Sequence, residues 1–171
     1  MFLSPCAGCH RACRCLSIKV AVTADISALR EACSMPEPLD DQVRARMRSQ
    51  RTAGTKPEIA LRRILHRDGL RFRVDVRPDA GLRTRADIVF TRAKLAVYVD
   101  GCFWHGCPQH FIPPKNNAEW WAVKISKNVE RDAASRQDLR ELGWEVSSFW
   151  EHEDPDRVAS AVRAIYLKRR H

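Results

Sequence analysis

The stretch that decides the fold is Arg85-Ala86-Asp87-Ile88-Val89-Phe90, a short break at Thr91–Lys94, and then Leu95-Ala96-Val97-Tyr98-Val99. Both runs are dense in β-branched and aromatic residues, and the break is short enough for a hairpin. The second run carries no polar residue to alternate with, so it reads as a strand covered on both faces. Upstream, Leu70, Phe72, Val74 and Val76 alternate with polar residues and predict a half-buried strand. Before that, Thr55-Lys56-Pro57-Glu58 has the spacing of a capping box, with proline in the first turn. Leu61, Ile64 and Leu65 supply an apolar stripe, and Gly69 stops the helix. Downstream, Asn117 is positioned to cap a long helix that runs to Leu142, with Gly143 as its stop. Trp144–Trp150 reads as a fourth strand. Asp154-Pro155 opens a last helix with Val158, Val162 and Ile165 on one face. The expected order is helix, three strands, helix, strand, helix, which is an α/β mixed sheet flanked by helices.

The chain has 171 residues, enough to bury a core without covalent staples. Its formal net charge is +9. Within residues 1–40, Arg11, Arg14, Lys19 and Arg30 offset Asp25, Glu31, Glu37 and Asp40, so the excess sits on residues 41–171. Arg44, Arg46, Arg48 and Arg51 make a basic lead-in to the folded part. A basic domain of this size suits a polyanionic partner, because neutralising phosphates releases counterions. No apolar run is long enough to span a membrane, and Met1–Pro5 makes a poor signal peptide, which predicts a cytoplasmic protein. Residues 1–40 read as a poorly ordered extension, or as sequence upstream of the true start. Met35-Pro36-Glu37-Pro38 looks like a linker. Cys6, Cys9, His10, Cys13 and Cys15 could bind a metal, but no second pair follows at finger spacing.

Asp100–Asn116 is irregular and holds three prolines, two cysteines and two histidines. A loop of that length inside a compact domain is usually functional or fixed by metal. Cys102-x4-Cys107-x2-His110 gives three tetrahedral zinc ligands within nine residues, and His152, just past the last strand, is available as a fourth. Otherwise these are two buried thiols and two surface histidines, and His105 competes as a ligand. Asp87 heads an apolar strand, so its carboxylate either reaches water or holds a cation. Asp100 ends the paired strand, and two carboxylates at one sheet edge could hold Mg2+. Glu58 is a third acid, though a capping role suits it equally. His105 is the natural proton carrier. Phe103, Trp104 and Trp121 are either core rings or wedges between base steps. The polar, proline-rich setting of Phe103-Trp104 favours exposure of at least one.

Val99-Asp100-Gly101-Cys102-Phe103-Trp104-His105-Gly106-Cys107-Pro108-Gln109-His110 resembles the signature of the very short patch repair (Vsr) DNA mismatch endonuclease family. Thr55–Leu65, Arg85–Phe90, Trp120-Trp121 with Lys124–Asp132, Leu142–Trp144 and Trp150–His152 agree in order. The resemblance covers roughly residues 41–160. It implies a restriction-endonuclease-like fold of the PD-(D/E)xK type with a structural zinc. It also implies Mg2+-dependent nicking on the 5′ side of the mispaired thymine of a T:G pair left by 5-methylcytosine deamination. Carried over, Asp87 is the magnesium ligand together with the Val99 carbonyl. His105 is general base or acid, and Glu58 supports the site. Cys102, Cys107, His110 and His152 hold zinc, and Phe103, Trp104 and Trp121 intercalate. Val99-Asp100 stands where known members carry Thr-His, which passes that histidine's role to Asp100 or removes it. The lysine of the general (D/E)xK pattern is absent. The implied partners are double-stranded DNA, mismatch-repair proteins of the MutL type and a cytosine methyltransferase, with the enzyme a monomer at the nucleoid. Two rival expectations are a restriction-like nuclease that cuts both strands of unmodified DNA and a non-catalytic zinc module that binds DNA.

Overall fold

The computed structural model describes residues 41–49 and 53–170. The cysteine cluster of residues 6–15 and the expected linker at 35–38 lie outside the described residues. In chain order the elements are α1 (Asp41–Ser49), α2 (Lys56–Arg67), β1 (Arg73–Val76), β2 (Ala86–Phe90), β3 (Leu95–Asp100), α3 (Ala118–Glu141), β4 (Glu145–Trp150) and α4 (Pro155–Arg169). The expected order holds, with one addition. Residues 41–49, which carry Arg44, Arg46 and Arg48 of the basic lead-in, are helical as α1.

The four strands form one sheet in the order β1-β2-β3-β4. β2 and β3 form the expected antiparallel hairpin, with Ile88 opposite Val97 and Phe90 opposite Leu95. β3 and β4 run parallel, with α3 as the crossover, in a register that pairs Leu95 with Glu145 and Asp100 with Trp150. β1 is shorter than its alternation suggests. Leu70 and Phe72 pack into the core ahead of the strand, while Val74 is exposed.

Alternation along the strands divides the core between two faces. Ile88, Phe90, Leu95 and Val97 face Leu61 and Leu65 of α2 and Val158 and Val162 of α4. Val89, Ala96, Tyr98 and Val146 face Leu139 of α3 and Trp144. Cover on both faces is why β3 reads as an unbroken apolar run.

The helix ends follow from glycine. Gly69 (φ +79°) and Gly143 (φ +80°) adopt the left-handed conformation that side chains disfavour. After each, a core residue bonds back into the last turn: Leu70 N–H to the Leu65 carbonyl, and Trp144 N–H to the Leu139 carbonyl. The start of α3 differs from expectation. Asn117 stands at the cap position with φ +54° and makes no side-chain capping bond, so the left-handed backbone of Asn itself turns the chain into the helix. No helix among the described residues is long and apolar enough to cross a membrane.

Candidate active site and metal cluster

On β2 and β3, the residues alternating with the α2/α4-facing set are Asp87, Tyr98 and Asp100. They share the sheet face that α3 crosses. Regular pairing of the two strands extends as far as Ile88–Val97. Past it, the Val99 N–H donates to Asp87 Oδ2 at 2.8 Å rather than to a backbone carbonyl. The strands part there, and a cleft of about 630 Å³ opens, lined among others by Asp87, Asp100, His105, Asp132 and Arg136. An extended residue points its N–H and C=O to the same edge, so the Val99 carbonyl faces the same gap as the Asp87 carboxylate.

Burial pushes the Asp87 carboxyl up to about 6, against the pull of the Val99 N–H, and the Glu58 charge adds to the rise. A half-buried carboxylate with a second oxygen to offer, beside a backbone carbonyl, is the donor set that a hard divalent cation takes. Glu58 is 3% exposed and fully engaged. It accepts from Gly54 N (2.9 Å), Thr55 N (3.3 Å) and Thr55 Oγ1 (2.8 Å), and pairs with Arg62 Nη2 at 2.7 Å. The same Arg62 nitrogen donates to the Asp87 carbonyl at 3.4 Å. Glu58 thus fills its capping role and ties the start of α2 to β2.

His105 Nδ1 lies 2.7 Å from Asp132 Oδ2 on α3. That hydrogen bond raises the imidazole above its ordinary range; burial opposes the rise and Asp100 adds to it. Burial pushes the Asp132 carboxyl up, but its bonds to His105 and Arg131 outweigh this and hold it below the ordinary range. The ring is therefore fixed through Nδ1, which leaves Nε2 as the atom that can trade a proton. Asp100 lies 3.8 Å from His105 Nδ1, but both its oxygens are taken by Arg136 Nη2, at 2.6 and 2.8 Å. Burial raises its carboxyl despite that cation. Of the two carboxylates expected to share a metal, only Asp87 keeps an oxygen unspoken for.

The second cluster follows from the β3–β4 register. Because Asp100 is level with Trp150, the two chains leave the sheet together, and Cys102 meets His152 two residues on. Cys102 Sγ is 3.2 Å from His152 Nδ1, and Cys107 Sγ is 3.8 Å from His110 Nδ1 and 3.9 Å from His152 Nδ1. All four ligand atoms lie within 4.8 Å of one another. A tetrahedron with zinc-length arms of about 2.0–2.3 Å has edges of about 3.3–3.8 Å, close to these separations. Burial, the Cys107 thiol and the Glu151 carboxylate push the Cys102 thiol up to about 11, so the bare cluster lacks the positive charge that thiolates need. His105, the competing ligand, is committed to Asp132 instead.

Phe103, Trp104 and Trp121 form one aromatic cluster, with ring centroids 5.1–5.8 Å apart. Trp121 is buried, and Phe103 and Trp104 are half-buried, so none stands exposed as the loop's composition suggested. Trp121 is the buttress, and the other two pack against it and line the cleft.

Asn128, Asp132 and Arg136 were not singled out from the sequence. Their i, i+4 spacing on α3 is a polar stripe continuing the buried line of Trp121 and Ile125, and that is the signal that could have found them. Asn128 Nδ2 donates to the Trp104 carbonyl at 3.3 Å, so one helix face steadies the aromatic loop, the imidazole and Asp100.

Residues 39–110 match the family model described as "DNA mismatch endonuclease Vsr". The chain is 44% identical over 134 residues to "Type II nicking enzyme V.NaeI" of Lentzea aerocolonigenes, covering 77% of this chain and 81% of that protein. The chain belongs to the Vsr endonuclease family. Two further relatives agree. "Type II nicking enzyme V.NmeAIP" of Neisseria meningitidis is 39% identical, over 67% of this chain and 81% of its own. "DNA mismatch endonuclease Vsr" of Escherichia coli is 41% identical, over 61% and 66%. The chain is accordingly a DNA endonuclease, a hydrolase of phosphodiester bonds.

Proposed function

We propose that this endonuclease nicks one strand of duplex DNA on the 5′ side of the mispaired thymine in a T:G mismatch, with Mg2+ as catalytic ion and zinc as structural ion. The observation that carries the reading is the half-buried Asp87 carboxylate sharing one cleft with the His105–Asp132 pair. Relatives named for nicking and for mismatch cleavage support single-strand scission and mismatch choice respectively.

Asp87 and the Val99 carbonyl would hold Mg2+, which lowers the pKa of bound water and offsets charge on the phosphate. His105 Nε2 takes or returns the proton, while Asp132 keeps the ring oriented and stabilises its charged form. Glu58, through Arg62, fixes the strand that carries Asp87. Cys102, Cys107, His110 and His152 would hold zinc, tying the loop after β3 to the end of β4 where an apolar core is lacking. Phe103 and Trp104, backed by Trp121, would wedge beside the mismatch, because a T:G wobble unstacks at lower cost than a Watson–Crick pair. Residues 41–171 act as the endonuclease domain, with residues 1–40 as an extension. The protein works as a monomer on cytoplasmic DNA, in a repair process shared with a cytosine methyltransferase and MutL-type proteins.

The test is a nicking assay on end-labelled T:G duplexes with randomised flanks, with and without Mg2+, comparing wild type with Asp87→Ala. One labelled strand should be cut, only with Mg2+ and only by wild type. Equal cutting of matched duplex would overturn mismatch choice. Linearised plasmid would favour the restriction-like alternative, and mismatch binding without any cutting the non-catalytic one.

A further inference from the structure

We propose that Arg136 is a second catalytic group of the cleft, donating to a non-bridging oxygen of the phosphate being cut, with Asp100 as the clamp that aims it. The proposal rests on the endonuclease reading and extends it to a residue with no role there.

Three observations carry it. First, Arg136 is held from two sides. Asp100, itself 6% exposed, grips Nη2 with both oxygens, and the guanidinium carbon sits 5.0 Å over the Tyr98 ring. Tyr98 is in turn held through its hydroxyl, 3.3 Å from Thr84 Oγ1. Second, the grip is one-sided. Among the described residues Arg136 hydrogen-bonds through Nη2 alone, leaving Nε–H and Nη1–H2 to offer on a side chain that lines the cleft. Third, the other cations lining the cleft are differently placed. Arg85 is half-exposed and paired with Asp75, Arg131 is exposed beside Asp132, and Lys124 is exposed. Those suit long-range attraction of DNA, whereas a partly buried, pre-aimed guanidinium suits charge that develops in a transition state.

In the step itself, the water oxygen bonds to phosphorus as its proton passes to His105 Nε2. The bond from phosphorus to the leaving sugar oxygen breaks. That oxygen keeps the electron pair and is protonated from solvent. Negative charge grows on the non-bridging oxygens meanwhile, and Arg136 donates to one of them. Asp132 and Arg136 lie one turn apart on α3, so a single rigid element sets the proton acceptor and the charge clamp in register.

Single-turnover rates and duplex binding should be measured for zinc-loaded full-length wild type, Asp100→Asn, and the double variant Asp100→Asn/Arg136→Met. The double variant removes both charges and so leaves neither buried unpaired. All rates are taken on whichever duplex wild type nicks, matched or T:G. A failure of mismatch choice then shows as equal wild-type rates on the two, while the role of Arg136 is read from variant over wild type. The double variant should melt near wild type, bind within about threefold, and cut about 10²-fold slower, the usual loss for one donor to developing charge. Asp100→Asn, which keeps the guanidinium, should lose no more than about tenfold by the same measure. Cutting by the double variant within threefold of wild type overturns the proposal. So does an Asp100→Asn rate as low as the double's, which would assign the effect to the carboxylate. If the double variant fails to fold, Arg136→Lys replaces it, with about a tenfold slowing expected from loss of the fork geometry. A wild-type rate for that variant is equally fatal.

Discussion

Asp87→Asn should make the protein more stable, not less, at neutral pH in Mg2+-free buffer. The Asp87 carboxyl rises from 3.8, ordinary for an aspartate, to about 6, chiefly because it is buried. The sign follows from proton counts. Between those two values the folded state holds a proton that the unfolded state has lost, so stability falls as pH rises and stays low above about 6. The full penalty is at most roughly 3 kcal/mol at pH 7.5 and roughly half that at pH 5, using about 1.4 kcal/mol per pH unit. Asparagine escapes it and can still accept from the Val99 N–H. For a domain of this size the gain corresponds to a Tm higher by roughly 10 °C. The assay is thermal and urea unfolding of zinc-loaded wild type and variant at pH 5 and 7.5. Titrated Mg2+ should close the gap by stabilising the wild-type carboxylate alone. A variant less stable than wild type at pH 7.5, or a gain equal at both pH values, would refute the claim that a half-buried, incompletely compensated charge sits at this sheet edge.

Cys107→Ser or His152→Ala should release one equivalent of zinc per chain, measured by elemental analysis. Either should also lower Tm by about 10 °C or more, since metal binding energy at this cluster would be folding energy. Asp132→Asn should slow single-turnover nicking by about 10²-fold. With His105 acting as base, it should also move the acid limb of the pH–rate profile to lower pH, because the Asp132 hydrogen bond is the main cause of the raised imidazole; an unmoved limb would exclude His105 as that base. Trp104→Ala should bring the Kd for T:G duplex toward that for T:A, read by fluorescence anisotropy, with little change in Tm because the ring is half-buried. Trp121→Ala should also cost about 3–5 kcal/mol of stability, as expected for removing a buried indole.

Much of this was legible in the sequence where one residue property implied one place. The apolar run of β3 required cover on both sides, and the glycines at 69 and 143 required helix ends with a left-handed turn. His152 could be offered as a fourth ligand because it directly follows the last strand, and the parallel β3–β4 register delivers it to the end where Cys102 lies. The hidden parts depend on which face a polar residue takes. Asp132 and Arg136 lie on a helix rich in charge, and only their alignment with Trp121 and Ile125 marks them as turned to the sheet. The pairing of Asp100 with Arg136 was hidden because the partner comes from 36 residues away on another element. Phe103 and Trp104 looked exposed because the polar loop around them hid Trp121 as their packing surface.

One geometric fact connects these features. A hairpin that stayed paired through Val99 would leave Asp87 on a closed sheet, with no gap for a phosphate. Giving the Val99 N–H to the Asp87 side chain ends the ladder early, and the next residues of β3 must then find support elsewhere. They find it on β4, through the bond from Glu151 N–H to the Asp100 carbonyl, and in the cluster that joins Cys102 to His152. The opening at Asp87 and the four-residue cluster are thus adjacent parts of one strand end. A metal bound at the cluster would hold the end of β3 that the parted hairpin no longer holds, and would keep the imidazole, three residues beyond Cys102, within reach of Asp132. Stripping that metal should therefore slow nicking even at temperatures where the rest of the sheet is intact, with the loss preceding the fall in helical circular dichroism. Nicking that persists undiminished in metal-stripped protein resupplied with Mg2+ alone would break this coupling.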